Sequence, residues 1–260
     1  MDVIYGIHPV EEAVAARATS IEYVAVARDR HDAKLQRLID RCRAAGISLR
    51  FVPRQELKRL ARAEAHQGVV AVAGARGYES LEDLLRQRRG RRAFLVVLDG
   101  VEDPHNLGAI LRTADGAGAD GVVIPERRAA GLTSTAWKAA AGAAEHLPIA
   151  RVTNISRVIE ELKVRNIWTV GLDERATQTY DAIDYRMDLA LVLGAEGAGL
   201  HDLVRKKCDF LVSIPMLGKV ASLNVSVAAA IVMYEAARQR RSRGDQDDMH
   251  RTAGPSLRSG

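Results

Sequence analysis

Apolar and polar positions along the chain fall into two blocks with different rhythms. In the first block, Ile21–Ala27, Ser48–Val52 and Gly68–Ala73 are short β-branched runs that predict strands. Between them, His31–Ala45 sets Leu35, Leu38 and Ile39 at helical spacing, and Gly46 supplies the stop. Pro53 opens a second helix carrying Leu57 and Leu60. These signals predict a small α/β domain over residues 1–75. From Ala93 the second block begins, with Phe94–Leu98 as a continuous apolar run of the buried-strand type. Helix Asn106–Ala117 follows, then strands at Gly121–Ile124, Leu147–Ala150, Ile167–Val170, Leu189–Leu193 and Phe210–Ile214. Leu223–Arg241 forms a long closing helix. Strands separated by helices predict a mostly parallel sheet covered on both faces, so the fold class is α/β and the second domain spans 93–241.

Residues 76–92 change character. Leu81, Leu84 and Leu85 suit one amphipathic turn, but Arg88, Arg89, Arg91 and Arg92 surround Gly90, and the segment reads as a basic linker. Residues 242–260 are polar without an apolar period and read as a disordered tail. No uncharged apolar run approaches the ~18–20 residues of a membrane span. The N-terminus lacks the pattern of a secretory signal. Cys42 and Cys208 offer neither a disulfide framework nor zinc spacing, so no metal is expected and a reducing cytoplasm is the simplest compartment.

The charge changes this picture because it is unevenly placed. The net charge is +5. Residues 1–92 hold 18 Lys and Arg against 12 Asp and Glu, whereas 93–241 hold 17 against 18. A basic module beside a near-neutral one points to a grip on a polyanion in the first and separate chemistry in the second. Arg88, Arg89 and Arg91 are candidate RNA contacts, with a solvated hinge as the plain alternative.

Three segments of the second block place polar residues and glycines at strand ends. In the first, Asp99-Gly100 closes a strand, and a loop presents Asp103, Pro104, His105 and Asn106 before a helix carrying Arg112. Asn106 at the N-cap would let Arg112 reach back toward it; the plain alternative for Arg112 is a snorkelling helix-edge residue. In the second, Gly194, Gly197 and Gly199 surround Glu196. This is neither a dinucleotide fingerprint nor a P-loop, so an oxidoreductase is poorly supported. In the third, Ile214, Pro215 and Met216 lead through Gly218 and Lys219 to Ser222, Leu223 and Asn224, where Ser222 and Asn224 suit helix N-caps. Carboxyl ends of parallel strands are where ligands bind in open α/β sheets.

Together these segments resemble the SpoU (TrmH-like) family of RNA ribose 2′-O-methyltransferases in the SPOUT superfamily. The first family motif is similar to Asn106-x-Gly108-x₃-Arg112-Thr113-Ala114, and the second to Gly194 through Leu200. The third is similar to Ile214-Pro215-Met216 followed by Ser222-Leu223-Asn224-Val225-Ser226. Tyr5 through Val10 and His66 through Val69 resemble the substrate-binding module of the ribosomal-RNA guanosine branch. The resemblance spans residues 3–241. It implies an L30e-like RNA-binding domain, then a SPOUT domain with a deep C-terminal trefoil knot. It also implies bound S-adenosylmethionine (AdoMet) and a homodimer formed through the catalytic domain. By position it makes Gly194, Glu196, Gly199, Ile214, Met216, Ser222, Leu223 and Asn224 cofactor residues, and Asn106, Arg112, Glu196 and Asn224 catalytic ones. Ala140 departs from the family, where Ser is frequent, and a hydroxyl contact to RNA would be missing there.

The implied reaction is methyl transfer to the ribose 2′-oxygen of a guanosine in large-subunit (23S) ribosomal RNA. A transfer-RNA ribose methyltransferase and a catalytically silent RNA-binding assembly factor are the alternatives. A guanidinium is an awkward general base because it stays protonated. Arg112 is therefore expected to hold an RNA phosphate and stabilise alkoxide charge. His105 reads as a loop residue, and Glu196 as either a loop brace or a balance for the cationic cofactor. His8 and Lys219 are expected at RNA, and His66 in a fold-internal hydrogen bond.

Overall fold

The computed structural model describes residues 1–30, 32–74, 77–87, 92–220 and 222–241. The first unit comprises β1 (Asp2–Tyr5), α1 (Ile7–Arg17), β2 (Ile21–Ala27), α2 (Ala33–Ala44), β3 (Leu49–Val52), α3 (Arg54–Ala61) and β4 (Val69–Ala73). Among the described residues its strands form one four-stranded sheet in the order β1-β4-β2-β3. The β2–β3 pair is parallel and the other two pairs are antiparallel. On one face Val10, Val14, Leu35, Leu38 and Cys42 are buried against the sheet; on the other, Leu57 and Ala61 are. Asp32 caps α2 by accepting from the backbone N–H of Lys34 and Leu35 at 3.1 and 3.0 Å. The residue pattern gave no signal for β1 or α1. The strand is only four residues long, and α1 opens Ile-His-Pro and buries Ala13 and Val14 rather than a stripe of large side chains.

The second unit runs α4 (Leu81–Arg86), β5 (Phe94–Asp99), α5 (Pro104–Gly116), β6 (Gly121–Pro125), α6 (Ser134–Ala140), α7 (Ala143–His146), β7 (Ile149–Val152) and α8 (Ile155–Val164). It continues with β8 (Trp168–Leu172), β9 (Leu189–Gly194), α9 (Asp202–Lys207), β10 (Phe210–Val212) and α10 (Val225–Arg241). Its sheet has the order β10-β8-β9-β5-β6-β7, and every pairing is parallel. Helices α5, α6 and α10 bury their apolar residues on one face, and α4, α8 and α9 on the other. With both faces covered, β5 and β9 are buried along their whole length, which is why they read as unbroken apolar runs.

The expected amphipathic turn around Leu81, Leu84 and Leu85 is α4, and all three leucines pack with Leu95, Val97 and Ala150 of the second sheet. Glu79 forms a parallel bridge with Ala150, and the Tyr78 hydroxyl accepts from the Leu132 N–H at 3.1 Å. Residues 77–87 are thus part of the second unit's packing, which corrects the reading of 76–92 as a linker for that stretch. Arg88, Arg89, Arg91 and the tail 242–260 lie outside the described residues.

The two units meet where α1 lies against α6 and α7. Arg17 is the centre of that contact. Its Nε is 2.8 Å from the Glu145 carboxylate, which is almost fully buried, and its guanidinium lies 5.1 Å from the centre of the Trp137 ring. Glu12 and His146 pair beside it at 2.7 Å.

Candidate functional site

Two helix starts differ from expectation, and both differences shape the site. Asp103, not Asn106, caps α5: its side chain accepts from the His105 N–H at 2.9 Å, and Pro104 fills the first helical position. Asn106 therefore sits inside the first turn and is buried. Six helical residues subtend about 600°, so Arg112 lies well round the helix from Asn106, is exposed, and does not reach back to it. Asn224 caps α10, which begins at Val225 rather than Leu223. Its backbone carbonyl accepts from Ala228 N–H at 2.9 Å, and its Oδ1 accepts from the Ser226 N–H at 2.9 Å and the Ser226 hydroxyl at 2.6 Å.

That capping geometry leaves the Asn224 Nδ2 free to point elsewhere. It donates to Asn106 Oδ1 at 3.0 Å and lies 3.4 Å from Glu196 Oε1. The Asn106 Nδ2 donates to Glu196 Oε2 at 2.9 Å. One residue from each of the three motifs thus closes a ring of hydrogen bonds. The two amides donate and the carboxylate accepts. Arg112 is not in this ring, and among the described residues it makes no hydrogen bond or ion pair.

Beside the ring lies a cavity of about 340 Å³ at the carboxyl ends of β8, β9 and β10. Gly194, Glu196, Gly199, Ile214, Met216, Ser222 and Leu223 all line it. Asn224 touches the site through its side chain rather than the wall. The loop after β9 is pinned by two backbone hydrogen bonds between Ala195 and Gly199, at 3.0 and 2.9 Å. At Gly194 a Cβ would stand 2.1 Å from the Gly199 carbonyl carbon, so only glycine permits this fold-back. Asp99, at the end of β5, holds the far end of the loop: Oδ2 accepts from the His201 N–H at 2.8 Å, and Oδ1 pairs with His201 Nδ1 at 3.0 Å.

The wall is apolar at Leu172, Ile214, Met216 and Leu223 and charged at its rim. Asp173, Glu174 and Glu196 stand against Arg175. Three carboxylates against one guanidinium make the lining net negative, which suits a cationic ligand. Hydrogen bonds from Arg175 hold the Asp173 carboxyl below the usual carboxylate range. The motif comparison missed Asp173, Glu174 and Arg175. Their signal was available, since they follow a strand just as Glu196 and Met216 do.

The remaining expected residues lie elsewhere. Lys219 is exposed on the loop before α10. His8 is exposed at the start of α1, 3.8 Å from Glu11. His105 is exposed and engages the helix cap only through its backbone. His66 is fold-internal: it is buried, its Nδ1 accepts from the Gly68 N–H at 3.1 Å, and burial followed by the Arg54 charge lowers its pKa. Gln67 is also internal, its Oε1 accepting from the Ile7 N–H at 3.0 Å, so the two N-terminal motifs are tied to each other. Ala140 is completely buried, with its backbone nitrogen against Gly108 of α5, so position 140 is a packing position in this chain.

Comparison with known proteins gives a consistent outcome. Residues 93–234 match the SpoU rRNA Methylase family, and residues 3–79 match the family described as RNA 2′-O ribose methyltransferase substrate binding. A Bacillus subtilis protein named for the TrmH family of tRNA/rRNA methyltransferases is 50% identical over 212 residues, 81% of this chain and 85% of that one. The 23S rRNA (guanosine-2′-O-)-methyltransferase RlmB of Bordetella pertussis is 45% identical over 239 residues, 92% of this chain and 97% of that one. Among solved structures, the SpoU methyltransferase AviRb from Streptomyces viridochromogenes, in complex with AdoMet, superposes with a TM-score of 0.76. It is 28% identical, with 92% of this chain and 90% of that one covered.

Proposed function

The chain belongs to the SpoU rRNA methylase family, and from that premise we propose how its residues divide the work of RNA ribose methylation. It is an AdoMet-dependent rRNA (guanosine-2′-O-)-methyltransferase that acts on 23S rRNA. The observation that carries the assignment of roles is the ring of Asn106, Glu196 and Asn224 beside a glycine-walled, net negative cavity.

The cavity suits AdoMet, whose sulfonium and ammonium outweigh its one carboxylate. When bound, AdoMet supplies an electrophilic methyl group. Gly194 and Gly199 bring backbone close to it, Ile214, Met216 and Leu223 give an apolar wall, and Ser222 adds a hydroxyl. Glu196, held by Asn106 and Asn224, fixes the relative position of the three loops and places negative charge at the cavity. Such pre-positioning lowers the barrier of an in-line displacement. The C-terminal segment leaves β10, on the outer side of β8, and returns to the mouth between β8 and β9 before α10 packs on α5. That course supports a trefoil knot.

Arg112 holds the RNA phosphate next to the reacting ribose and stabilises charge developing on the 2′-oxygen. The hydroxyl proton leaves to phosphate or water. Since Arg112 stands outside its own chain's ring, the working site is completed by the Arg112 of a second subunit in a homodimer formed through the catalytic domain. Residues 1–75 grip the RNA, the basic excess lying within residues 1–92, with His8, Arg88, Arg89, Arg91 and Lys219 among the contacts. The enzyme works in the cytoplasm, in keeping with a chain in which, among the described residues, no helix is long and apolar enough to cross a membrane.

The test is methyl transfer from labelled AdoMet to unmodified 23S rRNA, with the product mapped by nuclease digestion and mass spectrometry. Label in 2′-O-methylguanosine, lost in Arg112→Ala, is expected; label only in transfer RNA, or none despite AdoMet binding, overturns the substrate assignment. Mixing Arg112→Ala with Glu196→Ala after subunit exchange is expected to restore about a quarter of wild-type activity, because half the dimers then hold one intact composite site. No recovery in exchanged mixtures refutes the shared site.

A further inference from the structure

The ring and the glycine loops account for one side of the cavity. The turn after β8 provides the other. Asp173 is almost fully buried there, and two arginines converge on it. Arg175 grips it in a two-pronged contact, Nε to Oδ1 at 3.0 Å and Nη2 to Oδ2 at 2.9 Å, and Arg175 N–H adds a third bond to Oδ1 at 2.8 Å. Arg205 of α9 places its Nε 2.9 Å from Oδ2. One carboxylate is thus shared by two guanidinium groups. The Asp173 clamp fixes the Arg175 fork on a turn closed by Ala176 N–H donating to the Asp173 carbonyl at 3.1 Å.

Arg175 is about half exposed and faces the cavity, and among the described residues that line it Arg175 is the one cation. Its Nε and Nη2 are taken by Asp173, which leaves Nη1 to meet a ligand. Glu174, beside it on the rim, and Asp202 also act on Arg175 electrostatically, so its charge sits in a mixed environment and not in a basic patch. A rigid guanidinium with one free edge is a carboxylate receptor.

Resting on the AdoMet reading of this cavity, we infer that Arg175, positioned by Asp173 and Arg205, binds the α-carboxylate of the cofactor's amino-acid end. Neither the family motifs nor the comparisons assign this residue a role. The inference separates two halves of one ligand: Arg175 reads the amino-acid end, while the glycine loops and the apolar wall read the nucleoside.

The experiment is isothermal titration of the full-length wild type, Arg175→Ala and Arg175→Lys with two probes. S-adenosylhomocysteine keeps the amino-acid end, and 5′-methylthioadenosine lacks it. In Arg175→Ala the dissociation constant for S-adenosylhomocysteine is expected to rise about tenfold, the scale of one charge-assisted hydrogen bond at a half-exposed site. That for 5′-methylthioadenosine is expected to stay within about twofold, which also reports an intact fold. Arg175→Lys, which keeps the charge and loses the fork, is expected to fall between. An equal loss for both probes, or no loss for either, overturns the inference while leaving the cavity as the cofactor site. Failure of the wild type to bind either probe overturns the cofactor reading itself, and the inference with it.

Discussion

Helix α5 carries two glycines whose replacement by alanine should have opposite consequences. At Gly108 a Cβ would stand 2.5 Å from the Ala136 carbonyl oxygen, 2.5 Å from Ala139 Cβ and 2.9 Å from Ala140 N. Two of these neighbours are backbone atoms of α6, so no rotamer change relieves the clash and α5 must move away from α6 by about 1 Å to restore ordinary contact. Overpacking of this kind costs about 1–3 kcal/mol, and backbone neighbours place Gly108→Ala at the upper end. Helix propensity returns about 1 kcal/mol. The net is about 2 kcal/mol of destabilisation, or about 4–8 °C in Tm for a chain of this size. At Gly116 the nearest atom to the added Cβ is the Tyr234 hydroxyl at 3.0 Å, the end of a half-exposed, rotatable side chain. Gly116→Ala should therefore be neutral or raise Tm by about 1–3 °C. Thermal unfolding of the two variants followed by circular dichroism makes the comparison. Because α5 also presents Asn106, Gly108→Ala should weaken AdoMet binding even where it is folded. A Gly108→Ala protein as stable as wild type would show that the α5–α6 contact is not the constraint on this motif glycine.

Glu196→Gln keeps the shape of the side chain but turns one acceptor into a donor. The amide oxygen should stay with Asn106, leaving an NH₂ group against the Asn224 Nδ2. About 1–2 kcal/mol should be lost, and the AdoMet dissociation constant should rise about tenfold; calorimetry showing no change would refute a role for the ring. Arg112→Ala should lower methyl transfer at least about 100-fold while AdoMet affinity stays within about twofold, because Arg112 does not line the cavity; a large change in affinity contradicts that placement. Burial pushes the Cys208 thiol up to about 12 and the Cys42 thiol up to about 11. Both stay protonated at neutral pH and should resist iodoacetamide in the native protein while reacting at once after unfolding. Their folded values lie above the ordinary thiol value near 9. The stability they contribute is therefore complete below that pH and is lost as pH rises from about 9 toward 11 to 12. Rapid native labelling at neutral pH, or stability that does not fall across that alkaline range, would count against their burial.

The inner strands of the second sheet, β5, β6 and β9, were legible because they are buried almost throughout and so read as apolar runs. The same physics hid other features. Helix α1 buries one large side chain, Ile7, beside Pro9, Val10, Ala13 and Val14, so its period is faint. In α4, three packed leucines lie next to a run of arginines, and the arginines dominated the reading of the segment. The start of α5 was misplaced because Asn106 and Asp103 are both good caps, and only the position of Pro104 distinguishes them. That three-residue difference in the cap decides where Arg112 points. With Asn106 as cap, the arginine could have folded back toward it; with Asp103 as cap, it lies round the helix, outside the ring.

The three motif segments are far apart in sequence, and each has a local structural use that would account for it alone. Asn224 caps a helix, Gly194 permits a turn, and Asn106 fills the first turn of α5. What the fold adds is that these uses coincide. Asn224 satisfies α10 with its oxygen and the ring with its nitrogen, so the helix cannot start elsewhere without opening the site. Because Glu196 accepts from both amides, any ligand that shifts the β9 loop also pulls on α5 and α10. Those two helices pack on each other, and α10 keeps Val227 and Tyr234 exposed on its outer side. The ring thus ties the β9 loop to α5, the helix from which Arg112 projects.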